Sequence, residues 1–356
     1  MSNRGVLVYK ELRNILFKMD PEKAHTLAEF FLKHIVNKPI IQDLATKYCS
    51  YHDAILENEI CGLNFNNPVG IGAGFDKNCT MIDGLTTLGF GYLELGTITK
   101  KPQSGNPKPR LFRHIEEESI QNAMGFNNAG SLAISSRLKN FYPYSIPLGI
   151  NLGKNKDVAQ EDALQNYQDV LKDFIGLGDY FVFNLSSPNT PNLRDLQNIT
   201  FVDELFSMAK EMTDKPLFLK VSPDMEIDSM LQVCQKAIDK GASGIIATNT
   251  TIDYTVVKLP KDIGGISGKA LKDKSFEILK ILARSFFKKT TLISVGGIAD
   301  AQDVYERMRH GASLVQIYSS FIFEGPCICR TINKELAQLI RNEKCGHISE
   351  IIGIAL

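Results

Sequence analysis

The sequence has little of what usually announces a function from composition. Forty basic and forty acidic residues cancel to a net charge of zero, which argues against a nucleic-acid-binding surface and offers no general attraction to acidic partners, local charge aside. The seven cysteines are odd in number and scattered, without a Cys-x-x-Cys pair; only Cys327 and Cys329 stand close. That is the cysteine usage of a reducing compartment. No His-x-x-x-His, cysteine-rich or paired-carboxylate constellation occurs, so no metal is expected. There is no apolar run of about 18 residues, and the N-terminus lacks an apolar core followed by a small-residue cleavage site. The chain is therefore expected neither to span a membrane nor to be exported. Repeats shorter than a strand-plus-helix unit and low-complexity tracts are also missing.

What is present is a core-forming chain of 356 residues at 44% hydrophobic content, long enough for one large α/β domain or two smaller ones. Eight short apolar runs read as buried strands: 69–73, 92–96, 148–152, 181–185, 217–221, 244–248, 292–295 and 314–317. Helix-compatible segments, 161–175, 201–212, 230–240, 275–286 and 301–309, fall between most of them. Eight strand-then-helix units predict a (β/α)8 barrel. Residues 55–65 read as a small hairpin ahead of it. The long interval between 96 and 148 carries its own β-like segment around 115–124, an expected insertion over the barrel mouth.

Residues 1–48 have a different character. Val8, Leu12, Ile15, Leu16 and Met19 share one helical face, and Asp20-Pro21 supplies an N-cap and first-turn proline for a second helix with Ala24, Leu27, Ala28, Phe31, Leu32 and Ile35 on one stripe. Leu7, Phe17, Phe30 and Val36 lie off the stripes. Eight Lys/Arg stand against five Asp/Glu in this segment. A greasy helix pair with a basic excess fits a membrane interface; a helical hairpin packed wholly on the main domain fits the same pattern.

The chemistry gathers where the predicted strands end. In a parallel barrel, ligands bind at the carboxyl ends of the strands. The fourth strand empties into Asn184-Leu-Ser186-Ser187-Pro-Asn189-Thr190, dense in hydrogen-bonding side chains, although the same residues also suit a plain turn. Strand 1 ends in Gly72-Ala73-Gly74-Phe75-Asp76-Lys77, strand 2 in Gly96-Thr97, strand 3 at Asn151, and strand 6 in Thr248-Asn249-Thr250-Thr251. Asn122, Phe126 and neighbouring amides sit in the insertion, suited to a planar imide or carboxylate ligand. Gly297 and Tyr318-Ser319 follow strands 7 and 8, with 264–268 read as a glycine-bearing loop ending at Gly268. Such loops form the phosphate site of this fold. Lys220, inside an apolar strand, either faces the barrel interior toward an anionic group or snorkels outward between helices. Facing inward, it suits a mononucleotide flavin whose reduced ring is anionic.

These motifs resemble one family over nearly the whole chain. Asn-Leu-Ser-Ser-Pro-Asn-Thr-Pro, Gly-Phe-Asp-Lys, Asn-x-Met-Gly-Phe-Asn-Asn and Ala-Thr-Asn-Thr-Thr in combination are similar to the class 2, quinone-dependent dihydroorotate dehydrogenases. The resemblance implies oxidation of dihydroorotate to orotate in pyrimidine synthesis, through bound FMN to a respiratory quinone, by a peripheral enzyme on the cytoplasmic face of the inner membrane and without an iron-sulfur partner subunit. It implies Ser187 as the base at carbon 5 while hydride leaves carbon 6 for flavin N5. Lys77, Asn122, Phe126, Asn184, Asn189, Asn249 and Thr250 would hold the substrate. Ala73, Gly74, Thr97, Asn151, Asn184, Lys220, Thr248, Gly268, Gly297, Tyr318 and Ser319 would hold FMN. His25 and Arg113 match positions that border the quinone tunnel. Class 1 relatives carry cysteine at the base position and lack the N-terminal helix pair. One departure is Ser320, where many relatives have glycine; its hydroxymethyl group is expected to be tolerated. Residues 1–48 are thus expected to be a membrane-associating, quinone-access region and 49–356 the catalytic barrel. Another FMN barrel oxidoreductase acting on a uracil-type ring, or a silent flavin-binding barrel, shares part of this pattern.

Overall fold

The computed structural model describes residues 4–356; the side chains of Leu7 and Val8 lie outside the described residues. The chain opens with three helices, α1 (Arg4–Leu16), α2 (Pro21–His34) and α3 (Pro39–Cys49). Asp20 caps α2 as its position predicts, its Oδ1 accepting from the N–H groups of Glu22 at 3.1 Å and Lys23 at 3.0 Å. The expected helix pair is corrected to a trio. Pro39 opens α3 just as Pro21 opens α2, at a first-turn position where the missing N–H costs nothing.

A small hairpin, β1 (Asn58–Ile60) and β2 (Leu63–Phe65), closes the barrel floor. Then come β3 (Val69–Ile71), α4 (Ile82–Thr87), β4 (Tyr92–Ile98), β5 (Leu111–His114), β6 (Ser119–Asn122), α5 (Ser131–Leu138), β7 (Leu148–Leu152), α6 (Ala163–Lys172), β8 (Tyr180–Asn184) and α7 (Ile199–Met212). The rest is β9 (Leu217–Val221), α8 (Ile227–Asp239), β10 (Gly244–Ala247), β11 (Gly265–Gly268), α9 (Lys272–Phe286), β12 (Thr291–Val295), α10 (Ala301–Arg309), β13 (Leu314–Ile317), α11 (Ser319–Glu324) and α12 (Ile328–Asn342). The eight expected strands are β3, β4, β7, β8, β9, β10, β12 and β13, which pair in parallel and close into a barrel.

Period-two alternation sorts each strand into an inward and an outward set. Tyr92, Tyr180, Val182, Phe218, Ile246, Ile293 and Leu314 form one buried cluster inside the barrel. Glycines face the aromatic rings there: a Cβ on Gly149 would sit 2.0 Å from the Tyr180 ring, and one on Gly244 would sit 2.2 Å from Phe218. Large residues on some strands are thus matched by empty positions on their neighbours. Two residues further along the same strands stand Glu94, Asn184, Lys220 and Gln316, all buried. The interior therefore changes from apolar to polar within one step of the pleat.

The insertion is confirmed as a β5–β6 hairpin, and β11 adds to it antiparallel, Gly265 opposite Asn122. The expected glycine loop at 264–268 is corrected here: it is a short strand, its backbone recruited by the free edge of β6. The cysteine reading is also corrected at one pair. Cys49 and Cys327 form a disulfide with Cα atoms 4.3 Å apart, joining the end of α3 to the start of α12, while the other five are free.

Candidate active site

The mouth is built on the carboxyl ends of the barrel strands and roofed by the insertion. Its walls include Lys77, Asn122, Phe126, Asn184, Ser187, Asn189, Asn249 and Thr250, together with Ala73, Gly74, Thr97, Lys220, Thr248, Gly268, Gly297, Tyr318 and Ser319. Every expected substrate and cofactor residue except Asn151 lines this one cleft. Asn151 lies one layer beneath, wholly buried. His25 and Arg113 stand outside it, toward the N-terminal helices.

Ser187 is buried at the turn after β8, and its Oγ accepts from the Asn189 N–H at 3.2 Å. Two sets of hydrogen-bonded amides lie on the neighbouring turns. Asn189 donates Nδ2 to Asn122 Oδ1 at 2.9 Å, and Asn249 donates to Asn184 Oδ1 at 3.2 Å and to Ser186 Oγ at 2.9 Å. The Asn189 Oδ1 and Thr250 Oγ1 atoms are buried with no protein partner. Unpartnered buried polar atoms are costly, and here both belong to residues that line a cleft, where a ligand's own groups can complete them.

Lys77, at the turn after β3, donates to Gly74 O and is partly buried. Burial pulls its pKa down from 10.5 to about 8. Tyr318 spans the opening to donate its hydroxyl to the same Gly74 O at 3.2 Å.

Beneath the mouth Lys220 faces inward, which rejects the outward alternative. Its Nζ donates to Glu94 Oε1 at 3.1 Å, and Glu94 also accepts from Asn151 Nδ2 at 2.7 Å and Gln316 Nε2 at 2.5 Å. Asn151 in turn accepts from Thr97 Oγ1 at 2.5 Å and Asn184 Nδ2 at 3.2 Å. A buried ion pair adds little net stability, but removal of one partner strands the other charge. Its effect here is to fix an ammonium group under the mouth. Reasoning from sequence missed Glu94 and Gln316, although both lie at the same inward phase as Lys220 on their own strands. Alternation counted across strands would have found them.

A second omission holds the Ser187 turn from outside. Arg194 donates Nε to Ser186 O at 2.9 Å and Nη2 to Thr250 O at 3.0 Å, while Asp224 accepts its Nη1 at 3.0 Å. Asp224 also accepts from Thr251 Oγ1 at 2.5 Å and Lys274 at 2.6 Å. One guanidinium thus ties the turn after β8 to the turn after β10. Arginine and aspartate in two loops carry no local signal of that pairing.

At the far end, Gly297 has φ +70°, and a Cβ there would meet Lys272 Cα at 2.4 Å. Ser319 Oγ is 2.9 Å from Ser267 Oγ on β11, and Ser320 Oγ is buried with no protein partner. The serine at 320 therefore adds a free hydroxyl at this end of the cleft.

Toward the N-terminal helices, His25 packs edge-on against Phe75 with ring centroids 5.2 Å apart. Burial, with Lys77 adding to it, lowers the His25 pKa to about 4, so the ring is neutral at pH 7. Phe75 touches Tyr318 at 5.7 Å and Phe321 at 5.1 Å. Arg113 donates to Met19 O at 2.8 Å and covers the Phe17 ring at 4.8 Å, joining β5 to the α1–α2 turn.

A parallel eight-stranded barrel with a buried ammonium, clustered amides and a glycine cradle at one mouth defines a ligand-binding (β/α)8 barrel of the enzyme type, its site at the carboxyl ends of the strands. Residues 55–340 match the family model for dihydroorotate dehydrogenase. The chain is 55% identical over 350 residues to the dihydroorotate dehydrogenase (quinone) of Helicobacter acinonychis, covering 98% of this chain and 100% of that one. The corresponding Nitratiruptor protein is 53% identical over 346 residues, 97% and 99% of the two chains. Among solved structures, DHODH of Eimeria tenella in complex with ferulenol superposes with a TM-score of 0.82 at 32% identity, covering 94% of this chain and 95% of that one. The chain belongs to the dihydroorotate dehydrogenase family, in its quinone-dependent class.

Proposed function

We propose that this protein oxidises dihydroorotate to orotate, with FMN as its resident cofactor and a membrane quinone as electron acceptor, in pyrimidine biosynthesis. The observation that carries the reading is the shared mouth. Ser187, Lys77 and the unpartnered Asn189 and Thr250 atoms share one cleft with buried Lys220 and the Gly297 cradle. A cyclic ureide with a carboxylate matches the first group: its ring N–H would donate to Asn189 Oδ1 and its carboxylate would meet Lys77. The second group fits FMN: Gly74, Thr97, Lys220 and Thr248 would hold its planar ring, and Gly268, Gly297, Ser319 and Ser320 its phosphate. FMN, when bound, takes the hydride from the substrate and passes the electrons to the quinone.

The protein's own part is positional and acid–base. Ser187 Oγ takes a proton from the substrate carbon, with the Asn189 N–H directing its lone pairs. A serine is a weak base at neutral pH, so the transfer needs a carbon whose acidity rises as hydride departs, and an onward path for the proton. Arg194 holds the turn that carries this hydroxyl. Lys220 sets a fixed positive charge against the flavin site, and Glu94 keeps it in place.

We take residues 1–48 as the membrane-associating and quinone-access region and 49–356 as the catalytic domain. No described helix is long and apolar enough to cross a membrane. The N-terminal helices instead expose apolar side chains, Ile40 at 85% and Ile15 at 64% among them, which supports contact with one leaflet. His25, Phe75 and Tyr318 form a run of ring contacts from these helices to the mouth, which supports electron delivery from that side.

The test is optical. The purified protein is expected to be yellow, to bleach anaerobically on addition of dihydroorotate, and to recolour with a quinone but not with NAD. A colourless protein, or bleaching by NADH alone, would overturn the assignment.

The Lys77 environment gives a pH dependence. Its ammonium is held near the point of deprotonation in the free enzyme, charged below about pH 8 and neutral above. Affinity for the anionic product orotate is therefore expected to fall as pH rises through 8, with little change between pH 6 and 7. Titrating orotate against the flavin spectrum measures this. In Lys77→Met, orotate binding should be weaker throughout and lose the inflection; an unchanged inflection would assign it to another group.

A further inference from the structure

We propose that Arg307, buried behind the Gly296-Gly297 turn, is a positioning residue that also supplies the counter-charge for the phosphate of the bound flavin. The proposal rests on the phosphate-cradle reading above and adds a residue that does not line the cleft.

The cradle itself is short of positive charge. The charged side chains lining that end are Lys269, Glu118 and Glu324. Lys269 Nζ is already paired with Glu118 at 3.0 Å. One cation against two carboxylates leaves a negative balance where a phosphate, itself carrying nearly two negative charges, has to sit.

One layer behind, the balance is reversed. Arg307 is 2% exposed, and its guanidinium donates to Gly296 O at 3.0 Å, Lys272 O at 2.8 Å, Ser275 Oγ at 3.0 Å and Ser294 Oγ at 3.1 Å. Its guanidinium carbon lies 4.7 Å from the centroid of the Phe276 ring. None of these partners is a carboxylate. The acid one turn earlier on α10, Asp303, is engaged by Lys272 Nζ at 2.5 Å and by the Ala299 N–H at 3.0 Å. Burial brings the Arg307 pKa down to about 10, which still leaves it charged at neutral pH.

A buried cation whose hydrogen-bond partners are all neutral is expensive to keep, even with Asp303 and Asp273 near enough to favour its charge. A phosphate held by the Gly297 turn, on the other side of the carbonyl that Arg307 grips, offsets that cost. Across dry protein the attraction is weakly screened. The same contacts orient the turn, because Gly296 O accepts from both Arg307 and Ser275 Oγ at 2.8 Å.

Riboflavin, which has the ring but no phosphate, separates charge from structure. Dissociation constants for FMN are measured from flavin fluorescence on dilution of the holoenzyme, and for riboflavin by exchange into it, in the parent, Arg307→Gln and Arg307→Lys. Arg307→Gln is expected to weaken FMN by about tenfold or more while changing riboflavin by less than about twofold. Arg307→Lys should keep FMN within about threefold of the parent. Equal weakening of both flavins in Arg307→Gln, or an unchanged FMN affinity, overturns the proposal. Should the glutamine variant not fold, loss of the FMN-over-riboflavin preference in the charge-retaining lysine variant overturns it as well. A parent protein that holds riboflavin as tightly as FMN would instead sink the phosphate-cradle reading itself.

Discussion

Ser187→Ala is expected to retain FMN and to slow bleaching by dihydroorotate between about a hundred- and ten-thousandfold, the range a positioned general base contributes. The size of the effect follows from isolation. Among the described residues, no carboxylate, imidazole or amine is bonded to Ser187 Oγ, whose protein partner is the Asn189 N–H. No second base is therefore in place to take over. Folding should survive, since the hydroxyl accepts a single backbone hydrogen bond at a turn held independently by Arg194. Anaerobic stopped-flow at saturating dihydroorotate, with the flavin spectrum as occupancy control, makes the measurement. Bleaching at the parent rate would remove Ser187 from the proton transfer.

The second large effect is expected at the membrane. Phe30→Ser, Phe31→Ser and Ile40→Ser together should abolish most vesicle association and most activity with a long-chain quinone, leaving turnover with a small water-soluble acceptor intact. These side chains are 52%, 50% and 85% exposed, so their replacement removes apolar surface without opening the core. Each contributes about 1 kcal/mol or more on insertion, and the loss of three amounts to roughly a hundredfold in partition. Surplus positive charge adds about 1 kcal/mol per residue near anionic lipid and weakens with salt. Deleting residues 1–48 is a harsher probe of the same idea. It cuts α3 one residue before Cys49, which is paired with Cys327, and it uncovers the surface where Leu32 packs on Gly84. Retained long-chain quinone activity in the triple variant, with vesicle binding lost, would separate docking from electron delivery. Retained vesicle binding would reduce the helices to packing elements.

The helix trio shows why part of the N-terminal region could be read and part could not. Asp20-Pro21 is a local cap signal, and α2 begins there. The side of each stripe that meets the barrel is not local. Leu32 is buried against α4, while Leu27 and Phe31 on the same stripe remain exposed, because α2 packs through only part of its apolar face. The glycine run at 264–268 is the opposite case. Its composition looks like a loop, yet the free edge of β6, more than a hundred residues earlier in the chain, turns it into a strand.

By itself the sequence determined the eight barrel strands, the roofing insertion, and nearly every side chain of the mouth, because a strand buried on both faces is written as a contiguous apolar run and the loop that ends it follows directly in the chain. Tertiary structure alone decided that Lys220 points inward and meets Glu94, that Arg194 clamps two loops through Asp224, and that Cys49 reaches Cys327. It also placed Arg307 behind a turn it does not belong to. Each of these depends on barrel closure and register, which bring together groups from distant strands and loops; a single side chain carries no mark of the partner that closure will give it.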